Sequence, residues 1–114
     1  MPQYKAPLRE MQFVLHELLN AEEHYAKLPA FQDTVSRELV DQYLEAAADF
    51  CENELSPLNQ VGDREGCTWN DGVVTTPTGF KEAYKKYIEL GFPSLSAEEQ
   101  YGGQALPNSL GITI

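Results

Sequence analysis

From Pro7 to about Asn20, apolar residues recur at three- and four-residue steps: Leu8, Met11, Val14, Leu15, Leu18 and Leu19. That spacing lines one face of a helix. Pro7 suits the first turn, where its missing N–H is not needed, and Glu10 sits at the positive end of the helix dipole. Residues 21–30 are polar and end in Leu28-Pro29, a break before the next helix. Asp33 is then placed as an N-cap. Behind it Val35, Leu39, Tyr43, Ala46 and Phe50 form one stripe, widened by Val40, Leu44, Ala47, Cys51 and Leu55. The pattern predicts a long helix with a broad buried face, stopped near Leu55 by Pro57.

Residues 57–66 read as a loop punctuated by Gly62 and Gly66. Asp71-Gly72, between Thr68-Trp69 and Val73-Val74-Thr75, signals a short hairpin over 67–75. A lone two-stranded hairpin is marginal, so it is expected to pack on helices. A third helix is predicted from Pro77 to Leu90 on the stripe Phe80, Ala83, Tyr84, Tyr87 and Ile88, with Gly91 as its left-handed stop. Ser96-Ala97-Glu98-Glu99 has the form of a capping box on a short helical turn. Leu110, Ile112 and Ile114 then run to the last residue with no polar stop. The expectation is an all-α chain, mainly helical with one short hairpin, cut inside an element of a longer protein. Residues 1–33 read as a helical extension and 34–114 as an incomplete helical domain.

Composition narrows the functional classes. Eight basic residues stand against 18 acidic ones, a formal net charge of −10. Nucleic acid and anionic membranes select clustered Lys and Arg, so neither is expected as a partner. No apolar run approaches the roughly 20 residues that span a bilayer, and the N-terminus lacks the apolar core of a signal peptide. The expected setting is the cytoplasm, with Cys51 and Cys67 as reduced thiols and Cys51 in the core.

Candidate chemistry is sparse. His16 and His24 are eight residues apart and fit no metal-binding pair on a helix; a solvated face is the reading for both. The acids around Gly66 and Gly72 fail the spacing of a calcium loop. Acid pairs such as Glu22-Glu23 arise from composition alone and read as solvated faces. Gly102-Gly103 could admit a ligand close to the backbone, but a helix cap and turn is favoured. There is no phosphate loop, no dinucleotide fingerprint and no nucleophile elbow.

Four stretches in order nonetheless resemble one family. They are Tyr4-Lys5-Ala6-Pro7-Leu8-Arg9-Glu10-Met11, Glu54-Leu55-Ser56-Pro57-Leu58-Asn59, Thr76-Pro77-Thr78-Gly79-Phe80, and Gly91-Phe92-Pro93 with Tyr101-Gly102-Gly103-Gln104-Ala105-Leu106-Pro107. The chain resembles the N-terminal helical part of the FAD-dependent acyl-CoA dehydrogenases, in the branch with an extra N-terminal segment. Phe92 stands where that branch more often has Trp, Ala105 where it has Gly, and Gln100 where it has an acid. The resemblance implies FAD as cofactor in a full-length enzyme, an acyl-CoA substrate, an electron-transfer flavoprotein as electron acceptor, and a homo-oligomer. It assigns no catalytic, cofactor-binding or metal-ligating residue within these 114 positions. It places Tyr101, Gly102, Gly103 and Gln104, with the helix beginning near Asn108, at the edge of the acyl and flavin cavity. It also has the N-terminal segment pack against the body or a neighbouring subunit through Leu8, Met11, Leu15 and Leu18. The rival reading is a free-standing acidic helical module that binds a protein partner.

Overall fold

The computed structural model describes residues 3–114; the first two, part of the expected extension 1–33, lie outside the described residues. The chain is mainly helical with one antiparallel hairpin. α1 (Leu8–Gln12) continues into a π-helical turn (Phe13–Leu18). This wide turn is closed by the Leu19 N–H donating to the Val14 carbonyl at 2.9 Å, five residues back. A π turn holds one residue more than an α turn, so it rotates the later side chains off the helical stripe. Leu8, Met11 and Leu15 therefore face the core while Leu18 is 66% exposed. Leu18 takes no part in packing on the body of this chain.

Asn20, in the left-handed region at φ 47°, turns the chain into α2 (Ala21–Ala26). This helix replaces the polar break expected there. Its polar run Glu22-Glu23-His24 hid two buried residues on either side, Ala21 and Tyr25.

α3 (Arg37–Phe50) begins at Ser36, whose hydroxyl accepts the Leu39 N–H at 3.1 Å. Ser36, not Asp33, is the cap. The helix does not end at Pro57. A second π turn (Cys51–Leu55) leads directly into α4 (Ser56–Glu65), so the expected loop over 57–66 is helical. The Ser56 N–H donates back to Cys51 across the wide turn, and Pro57 falls at the head of the next helical stretch. There its missing N–H breaks no bond. Gly66, at φ 61°, ends the rod.

β1 (Thr68–Asn70) pairs with β2 (Val73–Thr75) in the register Trp69↔Val74 across the Asp71-Gly72 turn. Both turn residues have positive φ, as a two-residue hairpin demands. The strands are exposed along their length rather than packed on helices. α5 (Phe80–Glu89) starts three residues later than predicted, because Gly79 is left-handed at φ 89° and caps it. Gly91 ends it at φ 78°, as its position suggested. Single 3-10 turns come next at Phe92–Ser94 and Glu99–Tyr101, then α6 (Asn108–Thr113). The capping box does not form: Glu98 precedes the second 3-10 turn and no side chain caps it.

One apolar cluster unites the arm, α3 and the C-terminal third. Leu15, Tyr25, Val40, Leu44, Phe92 and Leu110 belong to it. Phe50, Tyr87 and Phe92 meet in a triangle, with ring centroids 5.9–6.2 Å apart. The molecule is nevertheless a slab of 55 × 37 × 16 Å with a radius of gyration of 17.2 Å. A compact chain of this size would have about 13 Å. Much of the apolar surface of α4 and α5 is consequently uncovered.

The end of α4 is tied to the chain leaving the hairpin. The Glu65 carboxylate accepts the Thr78 N–H at 2.8 Å and the Thr78 hydroxyl at 2.9 Å. Those bonds, the backbone one foremost, hold its pKa below the usual carboxylate value. A lowered carboxyl pKa gives stability that is complete above the ordinary carboxylate range and lost as pH falls through the lowered value. Wild type should therefore have a higher urea midpoint than Glu65→Gln at neutral pH. The difference should shrink on acidification and vanish in strong acid.

Candidate functional site

The stretch Tyr101–Gln104 is held from three sides. Backbone bonds stitch residues 103–106 to 94–98. The Gly103 N–H reaches Glu98 at 3.0 Å, that of Gln104 reaches Ser94 at 3.0 Å, that of Ala105 reaches Ala97 at 2.9 Å, and that of Leu106 reaches Leu95 at 2.8 Å. The Gln104 side chain then works as a strut. Its Nε2 donates to the Gly91 carbonyl at 2.8 Å, and its Oε1 accepts the hydroxyl of Tyr43 on α3. A polar side chain bridging a helix stop and a distant helix fixes the loop against the core.

The two glycines differ. Gly102 is left-handed at φ 81° and terminates the 3-10 turn, which is the cap reading. Gly103 has no positive φ, but a Cβ there would collide with the carbonyl and side chain of Ala97. Its close approach is to its own chain. Tyr101 stands clear, 79% exposed. The four residues are thus one rigid turn presenting an aromatic ring. α6 starts just beyond it, where Ser109 meets the buried Tyr25 through their hydroxyls.

Ala105 occupies the left-handed region at φ 52°. This explains physically why Gly is usual at that place in the resembling family, since a side chain there costs about 1–2 kcal/mol.

The histidines part company. His16 is not on a solvated face: its side chain is 2% exposed, and Nε2 lies 2.6 Å from Asp41 Oδ1 on α3. Gln12 Nε2 donates to the same oxygen at 3.3 Å. No sequence period could have shown this pairing, which depends on the π turn that swings His16 inward. His24 is exposed on α2. Among the described residues no group of three His, Cys, Asp or Glu side chains could hold a metal ion. Cys51 is half-buried rather than fully in the core, and Cys67 is exposed; both are free thiols. Burial, and then the neighbouring Glu52 carboxylate, push the Cys51 thiol up in pKa, which disfavours the reactive thiolate. Glu52 itself is held low by the Ala6 N–H, then by Lys5, and so moors the start of the arm to the second π turn. No helix among the described residues is long and apolar enough to cross a membrane.

A second feature was not legible as a site. An open hollow of about 460 Å³ lies between α4 and α5, walled by Phe50, Leu55, Leu58, Phe80, Tyr84 and Tyr87. It exists because the α4 rod continues past Pro57, where the residue pattern alone predicts a loop.

A mainly helical chain with this hairpin and this glycine-containing turn before α6 fits the resemblance to part of an acyl-CoA dehydrogenase drawn from the residues, and a known dehydrogenase matches along nearly the whole chain. Over 110 residues it is 34% identical to a 3-methylmercaptopropionyl-CoA dehydrogenase of Ruegeria pomeroyi, a match covering 95% of this chain and 18% of that protein. No protein-family model matches the chain.

Two substitutions test the turn. Gln104→Ala leaves the Tyr43 hydroxyl without its partner and takes one of its donors from the Gly91 carbonyl, which keeps Ser94, and should cost about 1–3 kcal/mol in urea unfolding. Ala105→Gly relieves the left-handed penalty, less about 0.4–1 kcal/mol of added unfolded-state entropy, so thermal unfolding should show a gain of up to about 1 kcal/mol.

Proposed function

We propose that this chain forms a helical wall of an FAD-dependent acyl-CoA dehydrogenase, in which residues 1–33 are an N-terminal extension and 34–114 part of the helical domain. The reaction of the whole protein is α,β-dehydrogenation of an acyl-CoA thioester, with electrons passing to an electron-transfer flavoprotein in the cytoplasm. The observation that carries this reading is the 34% identity maintained along 95% of the chain with a dehydrogenase named for an acyl-CoA thioester.

In this reading no FAD-binding residue is assigned among these 114 positions. The flavin supplies the redox chemistry elsewhere in the polypeptide. The chain's own part is positional. The strut from Tyr43 through Gln104 to Gly91 sets the turn, and the turn presents Tyr101, Gly102 and Gly103 at the edge of the acyl-CoA cavity. A rigid rim restricts how the thioester enters and so contributes to orientation.

The test is the protein purified from its source cells with this sequence inside it. A visible flavin spectrum and acyl-CoA-dependent dye reduction are expected. Tyr101→Ala should raise KM for the acyl-CoA several-fold with a smaller change in kcat. A polypeptide that carries no flavin and reduces no dye overturns the reading.

A further inference from the structure

The N-terminal arm grips the last helix of the chain. Tyr25 on α2 is buried, 4% exposed, with its ring edge-on to Phe31 at 6.1 Å between centroids. Its hydroxyl shares a hydrogen bond with the Ser109 hydroxyl on α6, 84 residues further along. One turn later Thr113 borders the same hollow as Met11, Val14 and Leu15 of the arm. The side chains of α6 sort by exposure. Leu110 is fully buried, and Ile114 just beyond the helix packs on the same core. Ser109 and Thr113, four residues apart, are half-buried on the side of the arm. Asn108, Gly111 and Ile112 face outward, Ile112 at 87% exposure. Steps of three and four residues share one helical face, so α6 has an arm side and an outer side.

Apolar burial is non-directional. Leu110 sets how deep α6 lies but not its angle about its own axis. A hydrogen bond is directional, and successive helical residues point about 100° apart, so the bond at Ser109 sets that angle. The other hydroxyl of the helix does not help: Thr113 turns back to the Ser109 carbonyl at 2.7 Å. The brace is also held at its other end, since α2 follows the π turn in which His16 meets Asp41 on α3. The arm thus has one grip on the rod and one on α6. We propose that Tyr25 is a positioning residue: through Ser109 it sets which face α6 turns to the acyl-CoA cavity. That face is Asn108, Gly111 and Ile112, just beyond the turn that carries Tyr101. The cavity rests on the dehydrogenase reading; the tie between arm and α6 does not.

The test compares the whole protein carrying this sequence as wild type, Tyr25→Phe, Ser109→Ala, the double variant and Ser109→Thr. Tyr25→Phe keeps the ring and Ser109→Ala keeps the Cβ, so helical circular dichroism should not change. Amides of α6 should exchange with deuterium about threefold faster or more in each single variant, with those of α3 unmoved. The double variant should be no faster than either single, because both remove the same bond. Ser109→Thr, which keeps the hydroxyl, should behave as wild type. In acyl-CoA-dependent dye reduction the same loss of the bond should raise KM about threefold with kcat changed less, and Ser109→Thr should restore it. Unchanged exchange in α6 overturns the tie, whatever the reaction. Faster exchange that α3 shares also overturns it, because that is a general loss of stability. Faster exchange of α6 alone, with KM unmoved, overturns the positioning role. A wild-type protein that reduces no dye overturns the dehydrogenase reading and the cavity-facing role with it, while exchange still decides the tie.

Discussion

Pro57 offers no N–H to the helix that contains it, and its ring crowds the carbonyl of the preceding turn. The wide turn at Cys51–Leu55 removes both difficulties by lengthening the register one step before the proline. Because of that single adjustment, α3 and α4 form one rod from Arg37 to Glu65. The arm lies along one end of the rod, through Leu8, Met11, Leu15 and the His16–Asp41 pair. α5 lies along the other, where the Phe80 ring covers Gly62 and Leu58 covers Gly79. A Cβ on either glycine would meet its neighbour at 2.6–2.7 Å, so the Phe80 ring or the Leu58 side chain would have to shift to admit one. Had the helix ended at Leu55, there would be no wall opposite Tyr84 and Tyr87, and no hollow.

The molecule is thin, 16 Å in its shortest direction. The core is a strip. It runs from Tyr25 and Leu110 through Leu44 to the ring cluster of Phe50, Tyr87 and Phe92. Beyond it, at α4 and the outer face of α5, apolar side chains have neighbours on one side only. Stability in such a layout leans on cross-ties between distant segments: Glu52 to the arm, Glu65 to Thr78, Tyr43 to Gln104, and Tyr25 to Ser109.

What could be read from the residues was whatever depends on a single period or a single backbone preference. The stripe from Val35 to Phe50 declared α3, Asp71-Gly72 declared the hairpin, and Gly91 and Gly102 declared left-handed stops. What could not be read depends on a change of period. Two π turns each shift the helical face by one residue, so Leu18 turned outward, His16 inward, and the helix ran through Pro57. Capping rules also competed: Ser36 prevailed over Asp33 because its hydroxyl falls three residues before the Leu39 N–H. The turn at 101–104 was legible as a turn through its glycines. Its anchoring was not, because the partners of Gln104 lie 61 and 13 residues away in sequence.

The hairpin carries none of this architecture. Both strands are exposed, and around Gly72 there is open space. Stability in a folded chain is distributed unevenly, and segments with few buried contacts open at little cost to the rest. Asp71-Gly72 is accordingly a natural place to cut and rejoin the polypeptide or to graft a label. An epitope or fluorophore inserted there would ride on the outside of the rod and leave its supports intact.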